Sequence, residues 1–310
     1  MEKQNRLGYA CINLSLGKKV TSNRGMTKKT FLSKGKTYAS ELTLLNSQDL
    51  VKIMEWNVQN GIKFYRISSD IIPWMSEFEL NSMPDWQQIS QNLMRFGDIA
   101  RSNGIRIEFH PGHFTILSSN REEVVSNAMN DIEKHSQILD AMGYDPGFDN
   151  DINIHIGAAY GDKATAAKTW CANYNRLSDS ARKRLVVEND DKQSMYSVKD
   201  LHSMVHLEVG VPITFDHFHH IHCDGGIDAT DAAFLAASSW PDGFEPVQHY
   251  SSSRREKEDP GAKAQAHADW IYERIDPYVD NAWVMLESKM KDLSIIKYIR
   301  EFDEATVSID

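Results

Sequence analysis

Three cysteines, Cys11, Cys171 and Cys223, are all the 310-residue chain contains, and none forms a CxxC pair. So few and so scattered a set excludes a disulfide-stapled fold and predicts reduced thiols in a cytoplasmic setting. No apolar run approaches the roughly 18 residues a membrane-spanning helix needs, so no membrane partner is expected. The opening Met-Glu-Lys-Gln-Asn-Arg is polar and runs straight into a strand-like stretch, which predicts no secretory leader. Linkers, low-complexity tracts and close repeats are missing as well, which leaves no seam for dividing the chain. One domain over residues 1–310 is expected, large enough to bury its own core. Acidic residues are absent from one long stretch. Residues 3–40 hold Lys3, Arg6, Lys18, Lys19, Arg24, Lys28, Lys29, Lys34 and Lys36 but no Asp or Glu, in a chain of formal net charge −10.

What the chain does have is alternation. Short apolar runs, read as strands, fall at Leu7–Ile12, Lys63–Ile67, Ile105–Phe109, Ile152–Ile156, Arg184–Val187, Val211–Phe215, Glu245–His249 and Ala282–Leu286. Helix-period segments follow each, at Ser47–Asn60, Trp86–Asn103, Arg121–Met142, Lys163–Tyr174, Ser197–His206, Asp228–Ser238, Gly261–Ile275 and Leu293–Phe302. Gly61, Gly104 and Gly143 stand where the first three helices should stop. Eight strand–helix units predict the α/β class and a single (β/α)8 TIM barrel, with its site at the C-terminal strand ends. Between the first strand and Ser47 the composition predicts a long polar loop.

The stretch 211–222 is the most telling. A buried strand is followed at once by Asp216, His217, His219, His220 and His222. A packed core has no use for four imidazoles and a carboxylate in seven positions, whereas divalent metals are bound by those groups. Neighbouring side chains cannot all aim at one ion, so only part of the set is expected to ligate. Other strand ends repeat the chemistry: Tyr9 and Asn13 at the first, Ser68, Ser69 and Asp70 at the second, Glu108 and His110 at the third, His155 at the fourth, Glu188 to Asp191 at the fifth, His249 at the seventh and Glu287 at the eighth. Taken singly each has a plain alternative. His155 between two isoleucines suits a hydrogen-bonded core histidine, Glu188 or Glu287 an ion pair with Lys289, and His110-Pro-Gly a simple turn. Taken together, at one level on independent strands, they predict shared cations, because unpaired burial would cost several kcal/mol each. His267, inside the predicted seventh helix, is a further candidate ligand. Arg254, Arg255, Lys257, Lys289 and Lys291 follow the last two strands. With the basic stretch after the first strand they make a rim suited to a polyanionic substrate.

With these residues in view the chain resembles the ultraviolet-damage endonuclease family, from Arg6 to about Arg300. The resemblance rests on Arg6-Leu-Gly-Tyr-Ala-Cys-Ile-Asn13, His110-Pro-Gly, Ile154-His-Ile-Gly157, Val187-Glu-Asn-Asp190, Phe215-Asp-x-x-His-His220, His249-Tyr-Ser-Ser252, Ala266-His267-Ala268 and Met285-Leu-Glu-Ser-Lys289, in that order. It implies a barrel related to endonuclease IV and xylose isomerase. It implies a nick immediately 5′ of a cyclobutane dimer or 6-4 photoproduct in double-stranded DNA, leaving a 3′-hydroxyl and a 5′-phosphate. It implies two or three divalent ions, manganese first, with zinc or magnesium as alternatives. By position, His110, His155 and Glu188 would hold one ion; Glu188, Asp216, His249 and Glu287 a second; His219 and His267 a third. Glu188, Glu287 and Lys289 would carry catalysis, Lys289 by neutralising phosphate. Tyr9, Asn13, His113, Phe114 and Arg254 would contact the lesion or its strand. Two positions depart from the family pattern: after His-Pro-Gly, His113 stands where the family usually has a glutamine, the aromatic that follows being kept as Phe114, and Val247 replaces a lysine two residues before His249. A monomer in the cytoplasm, nucleoid-associated if the source is bacterial or viral, is expected. Two other classes share much of this chemistry, a metal-dependent sugar isomerase or epimerase on the same barrel and a lesion-binding protein that does not incise. The lysine-rich rim favours the nuclease.

Overall fold

The computed structural model describes residues 6–303. Eight parallel strands close into a barrel in sequence order: β1 (Leu7–Ala10), β2 (Phe64–Ile67), β3 (Arg106–Phe109), β4 (Asn150–Ile154), β5 (Leu185–Glu188), β6 (Ile213–Asp216), β7 (Val247–Tyr250) and β8 (Trp283–Leu286). β1 closes the ring on β8 with Gly8 opposite Met285. The TIM barrel expected from the alternation is the fold observed. Helices α1 (Lys28–Gln59), α2 (Trp86–Ser102), α3 (Glu122–Ala141), α4 (Lys163–Tyr174), α5 (Asp179–Arg182), α6 (Val198–Leu201), α7 (Leu207–Val209), α8 (His217–His222), α9 (Ala229–Ala237), α10 (Arg254–Lys257) and α11 (Lys291–Tyr298) lie between or after the strands. α1 and α2 run out just before Gly61 and Gly104, whose φ angles of 67° and 59° reverse the chain at little cost.

Strand alternation divides the side chains into two populations. Tyr65 and Ile67 face the helices, in the large core that also holds Leu50, Ile53, Met54, Phe96, Ile107 and Ile152. Phe64 faces the barrel axis and packs with Ala10, Val186, Trp240, Val247, Trp283 and Met285 in a smaller cluster. Each fully buried Val, Leu, Ile or Phe stabilises such a core by about 1.5–3 kcal/mol. The two residues above Phe64 and Val186 on the same inward face are Arg66 and Glu188. The barrel therefore turns from apolar to ionic toward its C-terminal end.

Two segments differ from the sequence reading. Residues 28–46, expected in a polar loop, are helical. Thr27 caps α1 by accepting from Thr30 N. The positions this part of α1 buries include Ser40, Thr43 and Asn46, which hydrogen-bond to Asp85, Ala39 O and the Arg24 and Ile71 carbonyls. Polar residues did the packing work expected of apolar ones. The seventh helix, expected at Gly261–Ile275, is absent: past α10 the chain is irregular up to β8. Ala266 O accepts from Arg254 N, Ala268 N donates to Ser252 O, and Ala268 O accepts from Lys289 N. These pairings to two neighbouring loops outcompete the local helical ones.

Candidate metal centre

Glu188, the last residue of β5, is the hub. Its side chain is fully buried and meets imidazoles from four other elements. His110 Nε2 lies 3.0 Å from Oε2, His249 Nδ1 3.1 Å from Oε2, His155 Nε2 3.8 Å from Oε2 and His219 Nδ1 3.2 Å from Oε1. Asn153 donates to Oε2 as well. Two sets of ligand atoms lie within 4.8 Å of one another, His110–His155–Glu188 and Glu188–Asp216–His249, and Glu188 belongs to both. Asp216 caps α8 through Oδ1, accepting from His219 N at 2.7 Å, while its buried Oδ2 has no hydrogen-bond partner. Glu188 Oε1 likewise accepts no hydrogen bond. Leaving such an oxygen unpartnered costs about 1–3 kcal/mol or more for a charged group. Orphan carboxylate oxygens among imidazoles are what a divalent cation satisfies, so this donor set fits the implied metal.

The histidine run resolves as geometry requires. At about 100° per residue a helix fans its side chains apart. Only His219 of the four turns to Glu188. His217 bonds Gln248 and stacks on Tyr278, His220 packs edge-on to Phe215, and His222 packs on Phe218.

Around this inner group the remaining candidates form a looser shell. Glu287 is held by Arg66, Nη1 to Oε1 at 2.5 Å, and lies 3.5 Å from His249 Nδ1. His267 arrives on the irregular segment, paired across a bridge to Ser253, with Nδ1 3.6 Å from Glu287 Oε2. Its ring is 6.3 Å from that of His219. Lys289, half exposed, lies 3.6 Å from Asp269, and Arg254 lies 3.7 Å from the same carboxylate oxygen. Phe114 is 79% exposed, its ring 4.1 Å from that of His113. Val247 is buried in the apolar cluster at the axis.

Tyr9 and Asn13 do not offer the lesion-contacting surface expected of them. Strand alternation turns Tyr9 away from the axis and under α1. Its hydroxyl donates to Asn57 at 2.8 Å and accepts from Asn13 at 2.9 Å. Both residues are at most 1% exposed.

Arg66 is the residue the sequence reading missed. It is buried, and it spans three elements of the centre: Nε donates to Glu108 at 2.5 Å, Nη1 to Glu287 at 2.5 Å, and Nη2 sits 2.9 Å from His249 Nε2. Arg66 and Glu108 are register partners on β2 and β3. Charged residues at inward positions of two neighbouring strands, in a chain already read as a barrel, were the available signal.

The charges are strongly coupled. Burial alone would raise the Glu188 carboxyl, but the His249 and His155 imidazoles hold it well below the usual carboxylate range. Burial opposes the charged form of His249, yet Glu188 lifts it to about 10. His219 is raised well above normal against its own burial, by Asp216 and Glu188. In the metal-free protein these imidazoles keep protons that an unfolded chain releases near pH 6.5. Their stabilisation is complete below that pH and lost as pH climbs through the folded values, toward about 10 for His249. A protonated imidazole has no lone pair for a cation. Calorimetry of manganese binding at pH 7, in two buffers of different ionisation enthalpy, should therefore report net proton release. The melting midpoint of the metal-free protein should fall between pH 7 and 10.

Against known proteins, the family described as UV-endonuclease UvdE matches residues 5–309. This chain belongs to the UV-endonuclease family. The UV DNA damage endonuclease of Clostridium perfringens is 33% identical over 98% of this chain and 72% of its own length. The UV-damage endonuclease of Schizosaccharomyces pombe is 32% identical over 96% of this chain, which spans about half (51%) of that protein. The crystal structure of SacUVDE superposes with a TM-score of 0.85 at 33% identity, over 97% of this chain and 99% of that one. A D-psicose 3-epimerase from Clostridium cellulolyticum shares the fold, at a TM-score of 0.52 and 12% identity. As a UV-endonuclease family member the chain is an enzyme, a nuclease. No helix among the described residues is long and apolar enough to cross a membrane.

Proposed function

We propose that the protein nicks duplex DNA immediately 5′ of ultraviolet photoproducts, cyclobutane dimers and 6-4 products, leaving a 3′-hydroxyl and a 5′-phosphate. The observation that carries this is the pair of donor sets sharing Glu188 at the C-terminal rim, in a chain of the UV-endonuclease family. His110, His155 and Glu188 would hold one divalent ion, and Glu188, Asp216, His249 and Glu287 a second. His219 and His267 would hold a third. Manganese is the metal proposed. When bound, such ions activate water at neutral pH and neutralise charge on the phosphate. The chain's own groups do the rest. Glu188 and Glu287 fix the positions of positive charge, and Lys289, with Arg254 beside it, supplies a mobile cation for the phosphate diester. Phe114 inserts against the damaged step, which costs less to unstack than an intact one. Action as a monomer is proposed. The three free thiols suit a reducing compartment that contains DNA, the cytoplasm or nucleoid.

Irradiated and untreated supercoiled plasmid, incubated with protein and manganese after chelator stripping, should part company: the irradiated form becomes nicked, with ends a polymerase extends directly. Inertness on both, with manganese bound at two or more ions per chain, would refute the reading. Activity on free sugars untouched by added DNA would point to the epimerase class instead. Phe114→Ala should lower the preference for damaged over intact duplex by about 1–3 kcal/mol, the worth of one aromatic–base stack, with metal content unchanged. Equal preference in the variant and the parent protein would remove Phe114 from recognition.

A further inference from the structure

We propose that Lys18–Lys36 forms an arm that grips the phosphates of undamaged duplex flanking the cut, an inference that rests on the DNA reading above. α1 is much longer than its neighbour. Between Lys36 and Gln59 it runs about 36 Å, against about 26 Å for α2 at 1.5 Å per residue. The two helices meet where α2 begins: Asp85, its capping residue, accepts from Ser40 Oγ and donates its backbone N–H to the same oxygen, at 2.8 and 2.9 Å. The part of α1 before Ser40, broken at Gly35 with φ 63°, therefore stands past the start of α2, on the end of the barrel where the metal centre lies.

The arm is anchored, not loose. Phe31 stacks on Trp74 with ring centroids 4.8 Å apart and an interplanar angle of 6°. Trp74 Nε1 donates to Met26 O at 3.1 Å, and Lys36 Nζ donates to Ser82 at 3.0 Å. The β2–α2 loop that receives these side chains includes Ser69, whose hydroxyl donates to His110 O at 3.0 Å. Packing and hydrogen bonds thus join the arm without a break to a residue of the metal centre.

Arg24 of the arm is paired with Asp49, but the arm's lysines are unspent. Six lysines elsewhere pair with carboxylates, Lys52 with Asp49, Lys134 with Glu79, Lys163 with Asp200, Lys257 with Glu273, Lys289 with Asp269 and Lys297 with Glu301, while the unpaired ones outside the arm are scattered singly along the chain. Among the described residues no carboxylate lies within ion-pair distance of Lys18, Lys19, Lys28, Lys29, Lys34 or Lys36, and all but Lys36 are exposed. Lys34 instead lies over the Tyr38 ring at 4.0 Å. Ammonium groups crowded without counter-charges repel one another, and in a chain of formal net charge −10 their segregation is complementary to a polyanion. A duplex reaching the metal centre presents phosphates along its axis on either side of the cut, and these supply the missing charge.

The test is a triple variant, Lys18→Gln, Lys28→Gln and Lys29→Gln, with Lys→Arg at the same positions as the rescue. Binding to an irradiated duplex is measured from 50 to 300 mM KCl, with both flanks long and with either flank trimmed to the lesion. Every phosphate left without its lysine lowers the slope of log K against log salt by about 0.9. The glutamine variant should lose between one and three such units and bind at least tenfold more weakly at 150 mM. The arginine variant should recover both. Trimming the flank that the arm holds should cost the parent protein the same slope and the glutamine variant nothing further. Metal stoichiometry and nicking at saturating duplex should be unchanged. An unaltered slope in a glutamine variant that still nicks overturns the arm alone, as does equal sensitivity of both proteins to trimming. A parent protein that binds no duplex overturns the arm and the DNA reading together.

Discussion

Glu188→Ala is expected to abolish incision, with a loss of at least a thousandfold, and to lower the number of manganese ions held per chain. Glu188 is common to both donor sets, so its removal strips one ligand from each of two sites at once. A residue serving one site would leave the other intact. The variant also leaves His110, His155, His219 and His249 without the carboxylate that lifts three of them, His249, His219 and His155. Proton release on manganese binding should shrink accordingly. Circular dichroism must show the barrel intact, and Glu188→Gln serves as the isosteric companion, retaining shape but not charge. A folded variant with full activity and full metal content would remove Glu188 from the centre.

Arg66→Met should act in two opposite directions. The guanidinium satisfies Glu108 and Glu287 inside the barrel and lies against His249, whose positive charge it opposes. Taking away one member of a buried ionic set costs about 3–5 kcal/mol. For a chain of 310 residues that is a fall of roughly 5–8 °C in the melting midpoint of the metal-free protein. The same change deletes a fixed positive charge beside Glu287 and leaves the centre more negative. At an effective dielectric of about 20, a nearby unit charge alters the energy of a dication by several kcal/mol. Manganese should therefore bind the variant at least tenfold more tightly and restore much of the lost stability. A role confined to packing would weaken stability and metal binding together. Unchanged stability, or weaker binding of manganese, would rule out the account of Arg66 as a built-in cation.

The barrel and most of the centre were legible because both follow from periodicity. Strand ends are marked by apolar runs, and His110, His155, Glu188, Asp216 and His249 each stand at one. Less was legible where side-chain direction mattered. Tyr9 stands one residue from the axis-facing Ala10, and that single step sends it under α1 to bond Asn57. Arg66 was overlooked because it lies within a strand, where a charged residue is read as incidental unless its register partner Glu108 is considered with it. α1 was cut short because Ser40, Thr43 and Asn46 are buried through hydrogen bonds instead of apolar packing. The helix expected around His267 failed for the converse reason: alanine-rich composition favoured a helix, and backbone pairing with Ser252, Arg254 and Lys289 prevailed.

That irregular stretch before β8 has an evolutionary corollary. Most imidazoles of the centre ride on or directly beside strands whose spacing is fixed by the hydrogen-bonded cylinder, so drift there is punished by misfolding. His267 hangs on a segment that can lengthen, shorten or change composition while the cylinder stays closed. Occupancy of the proposed third cation site is thus open to adjustment in descendants of this chain without any renegotiation of how it folds.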